Sequence, residues 1–194
     1  MQEMIPQGQA VGLKEWAVAV EALKQGRQIL IMRKGGIREE TRDFQVESDS
    51  FYLYPTYEHQ RKELIKPEFA ERVDDWAPEG NGEQAEIGCC AELAEDILIE
   101  TEEQLAKLKP FHIWTDRLAE ERLKWKRTKP LHVMLLRVYA LDEPVRIPVL
   151  DEYNGCKSWI GLPESLNGAP RRPVLTDEAF AIEANRIREA LAQK

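Results

Sequence analysis

The apolar positions of this chain fall in short runs, and two of them end in turns crowded with polar side chains. Ile29-Leu30-Ile31-Met32 feeds into Arg33-Lys34-Gly35-Gly36, and Phe51-Tyr52-Leu53-Tyr54 feeds into Pro55-Thr56 and then Tyr57-Glu58-His59-Gln60. Each half reads as a buried strand presenting a functional turn. Upstream, Trp16–Leu23 alternates at the strand period, with Lys24-Gln25-Gly26-Arg27 as the turn of an antiparallel hairpin back onto Gln28–Met32. Leu13, Trp16, Val20 and Leu23 also make a helical stripe, so a short helix is the alternative reading.

Downstream, Phe44–Val46 forms a further short strand, and Pro55 ends the ladder because it has no N–H to donate. Thr56 caps a helix from Tyr57 to Leu64, stopped by Pro67, with another helical turn over Glu68–Trp76. Asp74–Gly82 is a loop by composition. Glu86–Ile99 reads as a long strand bent at Gly88, or as a helix over Ala91–Leu98. Thr101 and Thr115-Asp116 start helices, the second running to Lys124 with Leu118 and Leu123 inward. Leu131–Leu141 is apolar in both parities, the mark of a central strand. Asp142-Glu143-Pro144 then turns into a short edge piece, Val145–Val149. Thr176 opens a last helix, in which Phe180, Ala184, Ile187 and Leu191 share one face. The pattern predicts an α+β fold, a largely antiparallel curved sheet or small barrel with helices packed outside. Residues 1–12 read as a surface extension and 13–194 as one globular domain ending in an amphipathic helix at about 177–192.

Composition narrows the function classes. The net charge of −8 argues against a protein coated in positive charge for duplex DNA, but acid clusters in Glu83–Glu103 and base in Arg117–Lys129. The acidic stretch offers a face to a protein partner. No apolar run approaches the roughly 20 residues that span a bilayer, and the N-terminus carries no secretory pattern. Three cysteines, Cys89, Cys90 and Cys156, lack zinc spacing and make a poor disulfide framework, which fits a reducing cytoplasm. No two of the three histidines, His59, His112 and His132, have i, i+4 metal spacing. No metal set and no cofactor can be named.

Two constellations carry candidate chemistry. Arg33, Lys34, Thr56, Glu58, His59 and Arg61 would converge if the two opening strands end on one sheet edge. Cations, a carboxylate and an imidazole around one cavity suit an anionic ligand, with Arg33 as a bidentate clamp. The Gly35-Gly36 pair adds backbone N–H groups but lacks the spacing of a phosphate-binding loop. The second constellation is Arg122, Lys124, Trp125, Lys126 and Arg127, where cations flank an aromatic ring. That mixture suits a single-stranded nucleic acid, whose bases stack while its backbone is neutralised. Glu39, Glu40 and Asp43 offer carboxylates to a divalent metal, and Glu39, Glu58 and His59 would serve a metal-assisted phosphodiesterase or other hydrolase.

The blocks RKGGIREE, FYLYPTYEHQ, HVMLLRVY and GCKSW resemble an uncharacterised bacterial family, well represented in cyanobacteria and catalogued as a domain of unknown function. The resemblance covers about Leu13–Leu162 and implies a cytoplasmic single-domain protein, with no catalytic residue to carry over. The order of elements from 86 to 141 is similar to PUA-like barrels, which bind RNA or modified bases; this is an analogy of fold. The favoured expectation is a cytoplasmic binding module for an anionic ligand or single-stranded nucleic acid, with RNA or an anionic small molecule as the partner. The alternatives are the hydrolase and a protein-interaction adaptor using 83–103.

Overall fold

The computed structural model describes residues 8–34, 46–58, 60–70, 82–124, 130–155 and 157–193. Gly35-Gly36, Glu39, Glu40, Asp43, Phe44, His59, the 74–81 loop, Trp125, Lys126, Arg127 and Cys156 lie outside the described residues.

Within the described residues the chain runs β1 (Ala10–Trp16), α1 (Ala17–Lys24), β2 (Leu30–Arg33), β3 (Ser50–Thr56), α2 (Pro67–Ala70), β4 (Gln84–Ile99), α3 (Glu102–Lys107), α4 (Asp116–Lys124), β5 (Leu131–Pro148), β6 (Trp159–Leu162), β7 (Arg171–Pro173) and α5 (Asp177–Ala192). The strands form one open sheet in the order β2-β5-β4-β3-β1-β6, with β7 added to β5. All pairings are antiparallel except β1 with β3. This is the expected α+β class.

The parallel β1–β3 pair explains the main correction to the sequence reading. Parallel neighbours need a crossover, which a hairpin cannot supply. Ala17–Lys24 is therefore α-helix, not the strand expected over Trp16–Leu23, and it lies in that crossover. Three alanines favour the helix, and six of its eight residues are buried, which is why its pattern shows no polar face. Gly26 is not a hairpin turn. It sits at φ +67° just past the helix, with Arg27 N–H donating to Ala22 O (2.9 Å) and Gly26 N–H to Leu23 O (3.0 Å), a Schellman cap. Strand β2 pairs with β5 instead, Leu30 opposite Leu135. Strand β1 begins at Ala10, so the last residues of the expected extension belong to the sheet.

Three smaller expectations change. Among the described residues no α-helix follows Thr56: Glu58 N–H returns to Thr56 Oγ1 (3.2 Å) in a local turn, and Lys62–Leu64 closes a 3-10 turn. Pro67 starts α2 rather than stopping a helix, since the first helical position needs no N–H. The Asp142-Glu143-Pro144 turn is absent. Strand β5 runs on to Pro148, paired with β4 as far as Gln84. Other expectations hold. β4 is one strand with register shifts at Ile87/Cys89 and Leu93/Glu95, the first at Gly88, and such bulges bend a strand. Thr101 and Gln104 form a capping box on α3, and Thr176 Oγ1 accepts from Ala179 N–H (3.1 Å) at the start of α5. Ala184 and Ile187 are buried on α5 as the stripe requires.

The pleat sorts the core onto two faces. Phe51 and Leu53 join the larger cluster with Leu13, Val18, Leu23 and Trp114, whereas Tyr54 and Cys90 join a smaller one with Ile87, Tyr153 and Leu162. Adjacent Cys89 and Cys90 fall in different clusters, both as free thiols. No helix among the described residues is long and apolar enough to cross a membrane.

Candidate functional site

A cleft of about 440 Å³ opens where α1, the C-terminal end of β3 and the Gly88 bend of β4 meet. A volume of this size falls in the range of small-ligand sites. Its floor carries Lys14, from the middle of β1 and only 6% exposed. A buried ammonium needs its donors occupied. Lys14 Nζ donates to the main-chain oxygens of Tyr153 (2.6 Å) and Gly155 (2.9 Å), and Glu58 Oε2 lies at 3.4 Å. The two carbonyls lie in and just after the turn at Asp151–Tyr153, so this side chain, together with the Lys14 N–H bond to Ser158 O (2.9 Å), ties the segment between β5 and β6 to β1.

Three tyrosines line the cleft. Tyr54 and Tyr153 meet edge to face with centroids 5.6 Å apart. Burial pushes the Tyr54 phenol up to about 12, helped by neighbouring Tyr153 and Glu58, so it remains a neutral donor. Tyr57 stands nearer the mouth, 38% exposed. The charged lining comes in opposed pairs: Lys14 with Glu58, Lys24 with Glu21 (3.6 Å) and Arg146 with Glu86 (3.4 Å). Gly88 leaves room for the Lys24 side chain, whose tip lies 3.3 Å from where a Cβ would stand. Gln84, Thr56 and Asn154 add neutral polar groups. The cleft therefore presents donors, acceptors and aromatic faces in balanced charge.

Thr56 and Glu58 line this cleft, but Arg33, Lys34 and Arg61 are not among its described lining residues. Arg33 turns toward β1 from the other side: it donates to Lys14 O, and Nη1 lies 3.8 Å from Glu15 Oε2. Lys34 donates to Leu123 O at the end of α4, and burial lowers its pKa. Arg61 pairs loosely with Glu63 (3.7 Å) and Glu121 (4.0 Å). The opening stretch thus divides into a cleft part and a tethering part. In the basic run, Arg122 lies between the indoles of Trp16 (5.6 Å) and Trp114 (5.2 Å) and donates to Met32 O (3.0 Å). Lys124 pairs with Glu120 and Glu102, both at 3.2 Å. Within the acidic stretch, Glu86, Glu92, Glu95, Asp96 and Glu102 each meet a basic side chain of a neighbouring element. Among the described residues no group of three His, Cys, Asp or Glu side chains is placed to hold a metal ion.

Sequence reasoning passed over Lys14, Lys24, Tyr153 and Arg146. Lys14 had a signal: a Lys-Glu pair interrupts an apolar run that begins at Ala10. Charges in a buried strand need partners, so such a pair marks a place where the fold is doing something other than packing.

The family model described as "Domain of unknown function (DUF1802)" matches residues 12–186, and the chain belongs to that family. No curated protein matches it. Among solved structures it is similar to ASCH from Zymomonas mobilis, with 10% identity, TM-score 0.45, and 94% of this chain and 96% of that one covered. A mutant form of ZmASCH from the same organism gives 12% identity and TM-score 0.47 over 84% and 95%.

Proposed function

We propose that this DUF1802 member is a cytoplasmic binding module for single-stranded nucleic acid, and that its cleft seats one unstacked nucleotide. The observation that carries the reading is Tyr57, 38% exposed, lining a cleft that also holds the buried Tyr54, Tyr153 and Lys14. Proteins that read single strands splay a base out, stack it on an aromatic side chain and hydrogen-bond its edge. Tyr57 is the stacking platform in this reading. Thr56, Gln84, Asn154 and the Tyr54 phenol supply donors and acceptors for a base edge. A duplex offers no such base, and the chain's net charge of −8 disfavours a long phosphate track. Binding should therefore rest on few phosphate contacts and show a shallow salt slope. The two free, buried thiols at Cys89 and Cys90 are consistent with a reducing compartment.

The test is fluorescence anisotropy of labelled single-stranded RNA, duplex RNA and single-stranded DNA oligomers against the full chain. Single strands should bind and duplexes should not. Tyr57→Ala should weaken binding by about 1–3 kcal/mol, the usual worth of a stacked base. No binding of any single strand at low salt, or unchanged affinity in Tyr57→Ala, overturns the reading.

A further inference from the structure

We propose that Glu58 occupies, in the free protein, the position of a ligand phosphate, so that the cleft selects ligands carrying a phosphate beside the base. This rests on the cleft being the nucleotide site. Lys14 is buried with two of its three N–H directions fixed on the main-chain oxygens of Tyr153 and Gly155. The third direction faces Glu58, and the Glu58 contact differs in kind from the other two. Its length of 3.4 Å exceeds the 2.6 and 2.9 Å of the carbonyl bonds. It comes from a side chain 44% exposed, on a local turn held by the Glu58 N–H to Thr56 Oγ1 bond. Good ammonium–carboxylate hydrogen bonds are about 2.7–2.9 Å long. The carbonyls are fixed by the fold, while the Glu58 carboxylate can swing into water at little cost. A phosphate oxygen entering the cleft would meet a pre-aimed, desolvated ammonium whose present counter-charge is weakly held.

Displacement is a simple exchange of partners. The Glu58 carboxylate regains water, and Lys14 Nζ donates to a phosphate oxygen instead. Two expectations follow. A phosphate should add affinity, and Glu58 should subtract from it. The paired charges at Lys24–Glu21 and Arg146–Glu86 do not share this geometry, because both of their cations are on the solvent side of the cleft and neither is buried.

Isothermal titration of the full chain with the four nucleosides, the four nucleoside 5′-monophosphates, inorganic phosphate and a short single-stranded RNA separates the possibilities. At least one monophosphate should bind about tenfold or more tighter than its nucleoside, the worth of one charge-assisted hydrogen bond. Glu58→Gln should tighten the monophosphate by about three- to tenfold, the scale of a removed weak ion pair, and leave the nucleoside unchanged. Lys14→Met should erase the phosphate increment, and Glu58→Gln keeps the test valid should Lys14→Met fail to fold. Tightening of the RNA as well as the monophosphate in Glu58→Gln assigns the phosphate to a strand's backbone; tightening of the monophosphate alone assigns it to a free nucleotide. Equal affinity for nucleoside and monophosphate, or weaker monophosphate binding in Glu58→Gln, overturns the phosphate position while leaving the base site standing. Silence from every nucleoside, nucleotide and RNA overturns both.

Discussion

Lys14 and Glu15 are consecutive residues of one strand, and the pleat sends them to opposite faces. Lys14 meets an open cleft, two main-chain carbonyls and a half-exposed acid. Glu15, 1% exposed, meets a closed box made by Arg33, Arg122, Trp16 and Trp114. One Glu15 oxygen accepts from Trp16 N–H (2.8 Å). Among the described residues Glu15 Oε2, Arg33 Nε, His112 Nδ1 and Trp114 Nε1 are buried without a hydrogen bond. The open side can exchange partners because water replaces whatever leaves. The closed side cannot, so its charges lock the end of β1 to β2 and α4. Charge in a strand is thus not by itself a site; what separates the two residues is that only Lys14 has a solvent-exposed charged partner.

The largest test of this contrast is Glu15→Gln. It removes the buried acid from beside the partly buried Arg33 and Arg122, and breaking a buried pair costs up to about 3–5 kcal/mol. Burial alone already lowers the Arg122 pKa, with Glu15 opposing that shift, so the loss falls on both cations. Urea unfolding should show a large drop in midpoint with an unchanged slope. A change below 1 kcal/mol would mean that the box is wet and the two faces are alike.

His112 tests the same side through pH. It is 4% exposed, and burial, reinforced by Lys66, lowers its pKa from 6.5 to about 4. The folded state therefore binds fewer protons than the unfolded state between those values. The contribution of neutral His112 is complete above pH 6.5 and is lost as pH falls toward 4, amounting to about 3 kcal/mol. His112→Phe should flatten that part of the stability profile measured by urea titration at stepped pH. An identical acid limb in the variant would remove His112 as its cause.

The open side should give less in stability and more in binding. Lys14→Met keeps the stem but leaves the carbonyls of Tyr153 and Gly155 without their donor, at about 1–3 kcal/mol. Its unfolding midpoint should fall less than that of Glu15→Gln, while its affinity for single-stranded RNA should weaken by about tenfold, the phosphate increment. A stability loss equal to that of Glu15→Gln would make Lys14 a second lock instead of a ligand group.

How far the sequence already showed this contrast depends on the element. The first half of β5 and helices α3, α4 and α5 were legible because apolar runs and Thr caps are local signals, and β4 was one of two readings of its stretch. Ala17–Lys24 was not, because its residues are buried almost all round and only the distant β1–β3 pairing decides between helix and strand. The site failed in the same way. Thr56 and Glu58, placed together by the visible strand end they follow, do line one cleft. Arg33 was assigned to them because both strands end in polar turns, yet β2 lies at the far side of the sheet path from β3, with β5 and β4 between. Lys14 was passed over because it precedes the strand expected over Trp16–Leu23, and the two carbonyls that hold it are well over a hundred residues away.

The smallest expected effect concerns Arg61, which lies between the two regions. It follows the Glu58 turn and reaches Glu121 on α4, the helix that carries Arg122. If it coupled the cleft to the closed box, its loss would move both. Its geometry argues otherwise: the guanidinium is 51% exposed, and its contacts with Glu63 and Glu121 are 3.7 and 4.0 Å. Pairs of that kind contribute about 0.2–1 kcal/mol and are screened by salt. Arg61→Ala should therefore shift the unfolding midpoint by less than about 1 kcal/mol and that small shift should vanish in high salt. RNA affinity should stay within about threefold, the range of a weak rim contact. A larger loss that persists in salt would show that the turn carrying Glu58 is held by α4, and that the open and closed faces of β1 act as one unit.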